Sequence, residues 1–399
     1  QRLSSLPVPL GKVAAAREGR CPAPGLAVWL EAAGVPFRTI GAVPSVLDLP
    51  PGEVAVHHVC VPTEAEGAAS DAALHQAMQA IQSYDPRATV VIESTIAPTY
   101  LDEIASNCPG LRIAVAPRRD WFDAPDKNMA TLPRVLGADD PGLADAVAGY
   151  LGLVCDVIVS LPGAREAALT KVIENGIRQL ELAYAHDLAL TLGDRYDVRA
   201  ILAAAATKWN IGEFRPSIGI GGYCLPLAPK YLATADRPLN LSARAVQVSE
   251  AHISRMIDFL SRFRQVDFWT VAYKANGPFT TSSPAVWIAE GLTIRQPRAV
   301  APRTVGIFPR DKAEEDWISH KSKFTRRLEW PQDAGSGDVL VIPVAHAEAL
   351  ALNDTTARET VGRYRLVIDN EDALARLSPA VWRETGTDVR VPGRKGWLS

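Results

Sequence analysis

Between residues 164 and 192 apolar side chains recur at helical spacing, at Leu169, Val172, Ile173, Ile177, Leu180 and Tyr184, which predicts one long helix. On it Lys171, Asn175 and Arg178 stand at i, i+4 and i+7, within about 60° of one another at about 100° per residue. A solvated face would carry the same stripe. The opposite face is apolar too, through Ala168, Leu182 and Ala183, so the helix reads as buried on most sides and its polar stripe as the lining of something. A buried Lys and Asn need partners.

On either side of this helix, apolar runs and helical stretches alternate. Candidate strands fall at 35–41, 54–62, 88–95 and 111–117, with helical stretches such as 70–83 between them. Before them lie two helix-like segments, 11–20 and 22–34. That alternation predicts a parallel, doubly wound sheet. A charged, Pro-rich linker at 117–135 leads through a helix (141–152) and a strand (154–159) to a segment, 160 to about 264, that is almost wholly helical. Strands at 266–274, 303–309, 338–345 and 365–369 then alternate with helices as a second α/β domain. The division expected is an N-terminal Rossmann-like domain over 1–160, a central helical domain over 161–264, and a C-terminal Rossmann-like domain over 265–399.

Composition narrows the function classes. A chain of 399 residues is too long for one ordinary core, which agrees with two or three domains. Its 42 basic and 45 acidic residues nearly balance, which argues against nucleic acid or a membrane surface as the main partner. Cysteines at 21, 60, 108, 155 and 224, without a C-x-x-C pair, indicate reduced thiols in the cytoplasm and no structural zinc. His57, His58 and Cys60 read as packed strand residues, and no metal site is expected. No apolar run reaches the ~20 residues of a membrane helix, and no signal-peptide pattern is present.

The helical segment is interrupted once, by residues 211–232, IGEFRPSIGIGGYCLPLAPKYL. Glycines at 219, 221 and 222 allow close approach and positive φ, and the Pro-punctuated apolar run beyond them keeps water away. A lone cysteine is ordinarily a small buried hydrophobe. Cys224, set in this loop, reads instead as a presented thiol.

The K-x-x-E-N-x-x-R helix, the helix at about 197–209 and the G-x-G-G-x-C-x-P loop together resemble the central part of the UDP-glucose/GDP-mannose dehydrogenase family. HHVCVPTE at 57–64, VVIESTIAPT at 90–99 and AYKANGPFTTSSPA at 272–285 agree in order and spacing. The resemblance implies two α/β domains joined by a long helix that also makes a homodimer contact. It also implies oxidation of the C6 primary alcohol of a nucleotide sugar to a carboxylate, with reduction of two NAD. Cys224 then matches the nucleophile, Lys171 and Asn175 the oxyanion pair, and Thr95 the strand-end hydroxyl near the reacting centre. Gly221, Gly222, Arg215 and Lys274 match substrate-binding positions. Val61, Pro62, Thr63 and Ser94 match the cofactor edge, where Thr63 and Thr95 can equally be plain strand-end hydrogen-bonding residues.

Several family features are replaced. The Glu after a Pro at a strand end is Arg118, which would favour the thiolate or bind an anionic substrate group. The Asp four residues past the cysteine is Ala228, and D-D-T-R-E-S has become Pro278 to Ser283. No G-x-G-x-x-G precedes residue 41, so the first βαβ unit is expected to be missing. Either the sequence is a fragment of a longer chain, or the N-terminal sheet is rebuilt and the NAD site lost. Two alternatives to the dehydrogenase therefore stand: NAD-independent thiol chemistry at Cys224 on a nucleotide sugar, and a non-catalytic binding protein.

Overall fold

The computed structural model describes residues 46–48, 54–65, 68–119, 127–128, 130–232, 240–277, 279–295, 302–321 and 323–399. The helix-like segments at 11–20 and 22–34, the expected strand at 35–41 and Cys21 lie outside these residues, as does Pro278. The chain divides into two compact units, one of residues 1–175 and 230–238, the other of residues 176–229 and 239–399. Among the described residues no helix is long and apolar enough to cross a membrane.

The first unit is built on five strands: β1 (His57–Val59), β4 (Thr89–Ile92), β5 (Arg112–Val115), β6 (Arg134–Ala138) and β7 (Ile158–Leu161), in that spatial order. A small antiparallel pair, β2 (Glu64–Ala65) and β3 (Ala68–Ala69), follows β1. Helices α1 (Ala72–Tyr84), α2 (Thr99–Asn107) and α3 (Pro141–Leu151) alternate with the strands. All pairs in the five-stranded sheet are parallel except β5 with β6. The strand β6 starts inside the stretch that reads as linker, because Pro133 and Arg134 mask an apolar run, and the last strand sits at 158–161 instead of 154–159. Val91, Ala114, Leu136 and Ala138 of the sheet pack on Leu143, Val147 and Leu151 of α3.

Helix α4 (Ala164–Leu192) spans the predicted residues and contributes its first part to the first unit and the remainder to the second. Its apolar positions do not all pack. Val172 is buried, but Ile173, Ile177 and Tyr184 are 45%, 53% and 56% exposed, which corrects the expectation of a helix buried on most sides. The face buried instead is built of small and polar residues, Ala167, Ala168, Asn175, Gln179, Ala183 and His186. Small side chains let neighbours approach, and spacing alone does not separate a packed apolar stripe from an exposed one.

The second unit carries α5 (Val198–Ala205), most of α6 (Cys224–Leu232) and α7 (Asn240–Leu260), followed by β8 (Gln265–Trp269), α8 (Pro284–Ile294) and β9 (Thr304–Phe308). After these come α9 (Lys312–Ser319), β10 (Thr325–Arg327), β11 (Val339–Ile342), α10 (Ala347–Leu350) and α11 (Asp354–Glu359). The unit ends with β12 (Leu366–Asp369), α12 (Pro379–Thr385) and β13 (Asp388–Arg390). Its six strands run β10-β9-β8-β11-β12-β13, all parallel, which is the 3-2-1-4-5-6 order of a doubly wound fold. Near-continuous apolar strands such as VLVI are what burial on both faces requires. Phe268, Ile307, Val341 and Ile368 face one core, and Trp269, Phe308, Leu340, Ile342 and Val367 the other. The short strands β10 and β13 are too brief and polar to be seen in the pattern of the chain.

Arg303, 7% exposed, closes two helices of this unit. Its guanidinium donates to Ser261 O and Phe263 O just past the end of α7, and to Leu292 O and Arg295 O at the end of α8. Helix carbonyl ends lack partners and carry partial negative charge, and a planar five-donor fork serves several at once. Arg303→Met should lower the unfolding free energy by about 2–4 kcal/mol, and Arg303→Lys should recover less than half, as read from urea unfolding midpoints.

Candidate active site

Residues 211–229 of the cysteine loop belong to the second unit, and the path to Cys224 has identifiable supports. Ser217 is bonded to the Nε2 atoms of two buried histidines whose rings stack on each other 3.9 Å apart at 4°. His252 Nε2 donates to Ser217 O at 2.7 Å, and His186 Nε2 lies 3.1 Å from Ser217 Oγ and 3.3 Å from its N–H. Ile218 N–H donates to Asn370 Oδ1 at 2.8 Å, and Asn370 Nδ2 donates to Pro343 O at 2.7 Å, which ties the loop to the carboxyl ends of β12 and β11. Gly222 N–H donates to Ser282 O at 2.8 Å.

Two glycines are required by what they touch. A Cβ on Gly221 would stand 2.6 Å from Ser282 O and 2.4 Å from Pro284 Cδ. Gly222 has φ +80°, and a Cβ there would meet the Tyr273 ring at 2.7 Å. The chain emerges at Cys224, an exposed thiol on the first residue of α6. Tyr273 is half-buried, and burial, then the nearby Cys224, push its phenol up, so it stays a neutral hydrogen-bonding group. Ala228, where the family Asp would stand, is fully packed at 1% exposure.

Described residues of the altered segment, from 279 to 283, make structural contacts. Phe279 packs against the Trp317 ring, Thr280 Oγ1 donates to Tyr223 Oη at 3.3 Å, and Ser283 caps α8 by accepting from Ala285 N–H. Lys274 is half-buried in the segment leading to it.

A second cluster in the same unit gathers three cations. Arg199, Arg215 and Arg394 line a cavity of ≈ 260 Å³ with Phe214, Asp197 and Glu213. Burial, then the Arg215 charge, disfavour the cation on Arg199, while Asp372 partly offsets them. Arg394 is ion-paired to Asp372. Arg215 is exposed and has no side-chain partner among the described residues, so the cluster has a donor left for an anion. Of these, Arg215 alone was singled out in the sequence. Arg199 and Arg394 lie too far apart along the chain to form a motif.

In the first unit, Lys171 and Asn175 occupy successive turns of α4. The Lys171 side chain is 17% exposed with Glu174 3.9 Å away, and Glu174 is held by Arg119 at 2.7 Å. Asn175 is 9% exposed, and its side chain makes no hydrogen bond among the described residues. Arg178 does not continue their stripe inward: it is exposed and bonded to Glu181 and to Glu213 O. Arg118 lies 3.5 Å from Glu93, which also takes His58 at 2.6 Å and Arg134 at 3.1 Å. Burial pushes the Glu93 carboxyl up, but the His58 hydrogen bond and the Arg134 charge outweigh it and hold it below its usual value.

The cofactor-edge residues use their hydroxyls on the protein itself. Ser94 Oγ accepts from Val61 N–H at 2.8 Å and donates to Val61 O at 2.7 Å. Thr63 Oγ1 donates to Thr95 O, lies 2.8 Å from Tyr231 Oη, and the Tyr231 hydroxyl donates to Thr63 O. Pro62 is exposed beside them. These contacts fix the ends of β1 and β4 and leave Thr95 half-exposed with its side chain unengaged among the described residues.

Residues 165–252, which hold Lys171, Asn175 and the whole cysteine loop, match the central domain of the UDP-glucose/GDP-mannose dehydrogenase family. Over this stretch the chain carries that family's central domain. Among its relatives is the UDP-N-acetyl-D-mannosamine dehydrogenase of Methanocaldococcus jannaschii, 22% identical over 360 residues, 86% of this chain and 80% of that protein. The UDP-N-acetyl-D-glucosamine 6-dehydrogenase of Salmonella typhi is 42% identical over 155 residues, 36% of each chain. A solved UDP-D-ManNAc dehydrogenase from Pyrococcus horikoshii shares the fold at TM-score 0.78 and 21% identity, over 98% of this chain and 93% of that one.

The stack of His186 on His252 can be tested directly. Burial pushes His252 down to about 4, against the upward pull of its bond to Ser217, and burial, then His252, push His186 well below its ordinary value. An unfolded imidazole titrates near 6.5, so between about pH 6.5 and 4 the unfolded chain binds a proton that the native chain refuses. Stability should fall as pH drops through that window, by on the order of 3 kcal/mol for His252. Trp397 stacks on His252, so its fluorescence in urea titrations at pH 7.5 and 5 reads the effect, and His252→Leu should flatten the difference.

Proposed function

We propose that the chain is a nucleotide-sugar 6-dehydrogenase acting through a Cys224 thiohemiacetal and thioester. The observation that carries the reading is the cysteine loop: Gly221 and Gly222 pressed onto Ser282, Pro284 and Tyr273, with an exposed thiol on the first residue of a helix. Oxidation of the C6 alcohol gives an aldehyde, the Cys224 sulfur adds to its carbonyl carbon, and loss of a second hydride leaves a thioester. Water then cleaves the thioester to the carboxylate and returns the thiol. Lys171 and Asn175 supply N–H donors for the oxyanion, and the side chain of Asn175 has donors to spare. Thr95 and Lys274 are the further polar groups of the reaction. Arg215, with Arg199 and Arg394, takes the diphosphate of the substrate.

NAD, as the family implies, would accept the two hydrides. The residues assigned to its edge, Val61, Pro62, Thr63 and Ser94, fit it poorly as donors, because the Ser94 and Thr63 hydroxyls already serve backbone and Tyr231. That mismatch, with Arg118 and Ala228 in place of family acids, favours one second reading: thiol chemistry at Cys224 on a nucleotide sugar without a hydride acceptor. We also assign the exposed Ile173, Ile177 and Tyr184 of α4 to a homodimer contact, and the reduced cysteines to a cytoplasmic setting.

The test is a calorimetric titration of NAD into the 399-residue protein, followed by NADH formation with UDP-N-acetylmannosamine and related UDP-sugars. The expected result is saturable NAD binding, turnover abolished in Cys224→Ser, and KM raised about 10- to 100-fold in Arg215→Ala. Binding of the UDP-sugar with no NAD binding would overturn the dehydrogenase in favour of the second reading.

A further inference from the structure

A larger cavity of the second unit, ≈ 470 Å³, opens at the carboxyl edge of β8, β9 and β10, lined by residues that none of the chemistry above uses. It falls in the size range of small-molecule sites. Part of its wall is aromatic: Trp269 and Trp330 stack at 4.0 Å and 20°, and Phe308 meets Trp330 edge-on at 5.2 Å. Such a surface suits a planar ring.

His346 also lines the cavity and is 3% exposed. Its Nδ1 accepts the Asn276 N–H at 2.8 Å, which puts the ring proton on Nε2, and that Nε2 is buried without a hydrogen-bond partner. A buried donor left unmade is costly, so a ligand acceptor there would be well used. Burial, then the Arg310 charge, hold the His346 ring neutral and its Nε2–H in place. Arg310, exposed and also lining the cavity, has no ion-pair partner among the described residues. Arg327 is occupied by Glu315 and Glu329, at 3.0 and 2.8 Å. Glu329 and Glu348 add carboxylate acceptors to the lining.

The place in the fold narrows the ligand. In the 3-2-1-4-5-6 order the edge at strands one to three receives a nucleoside, with an acid at the end of the second strand on the ribose, or an arginine where the ribose carries a phosphate. Here the second strand, β9, is followed by Pro309 and Arg310. The first strand, β8, is followed by Thr270 at φ 68°, without the glycine-rich turn that cradles a pyrophosphate. A mononucleotide fits these features and a dinucleotide does not.

We propose that this cavity is a nucleoside-phosphate site separate from the substrate's arginine cluster, with the base on the tryptophan wall, ribose hydroxyls on Glu329 and Glu348, and the phosphate on Arg310 and His346 Nε2. The site does not require Cys224 or NAD, so it stands or falls apart from the dehydrogenase reading. The experiment titrates the full chain with UMP, AMP and inorganic phosphate, followed by tryptophan fluorescence and calorimetry, in wild type, Arg310→Ala, His346→Phe and Arg215→Ala. A nucleoside monophosphate should bind saturably, quench tryptophan fluorescence, keep its affinity in Arg215→Ala and lose at least about tenfold in Arg310→Ala. His346→Phe should do the same if its circular dichroism is native, and the exposed Arg310 gives a variant that leaves the fold intact. Absence of saturable binding, binding lost in Arg215→Ala but kept in Arg310→Ala, or phosphate alone binding as tightly as the nucleotides would each overturn the proposal.

Discussion

Ser217, bonded to both His186 and His252, is the contact on which the shape of the cysteine loop rests. Two imidazoles stacked at 3.9 Å can share that place only if neither is charged, since two cations at that distance in a buried setting would repel strongly. Neutral rings leave His252 as a donor to the Ser217 carbonyl and let Asn370 hold the next N–H, so the backbone arrives at Gly221 and Gly222 already aimed. The glycines then close on Tyr273 and Ser282 because no side chain fits there. An exposed cysteine at the end of so constrained a path is positioned by its neighbours' packing and not by bonds of its own.

The same logic accounts for what happened where family acids are missing. Ala228 is packed at 1% exposure, the Ser283 hydroxyl caps a helix and the Thr280 hydroxyl donates to Tyr223. At these positions the side chains serve packing and capping, and the supports of the loop are intact. Catalytic side chains and the scaffold that aims them are separable, so one can be lost without the other.

Much of this was legible in the chain because it is local. The long helix, the strands of the second sheet and the glycine–cysteine loop are read from spacing and from residues whose conformational needs are peculiar to them. What stayed hidden is what distant residues do together. Ile173, Ile177 and Tyr184 have perfect helical spacing yet lie exposed, because spacing reports one face of a helix and not which face meets a neighbour. Strand β6 was concealed behind Pro133 and Arg134, whose guanidinium is drawn inward to Ala116 O and Glu93. His186, His252 and Asn370 come from three separate elements, and a histidine on an apolar helix face was the one signal among them.

Arg118 shows how an inverted charge can be accommodated without recreating the chemistry it displaced. Where the family carries a carboxylate, this chain has a guanidinium 3.5 Å from Glu93, a residue already bonded to His58 and Arg134. Three cationic or donor groups around one buried carboxylate hold it ionised, which makes Glu93 a fixed counter-charge. A general base for chemistry near neutrality needs a pKa raised toward the working pH, and Glu93 is shifted the other way. A carboxylate is therefore present at this edge of the first unit, but its environment commits it to electrostatics. Under the proposed chemistry, water activation in the thioester step falls to a group outside the Glu93 cluster.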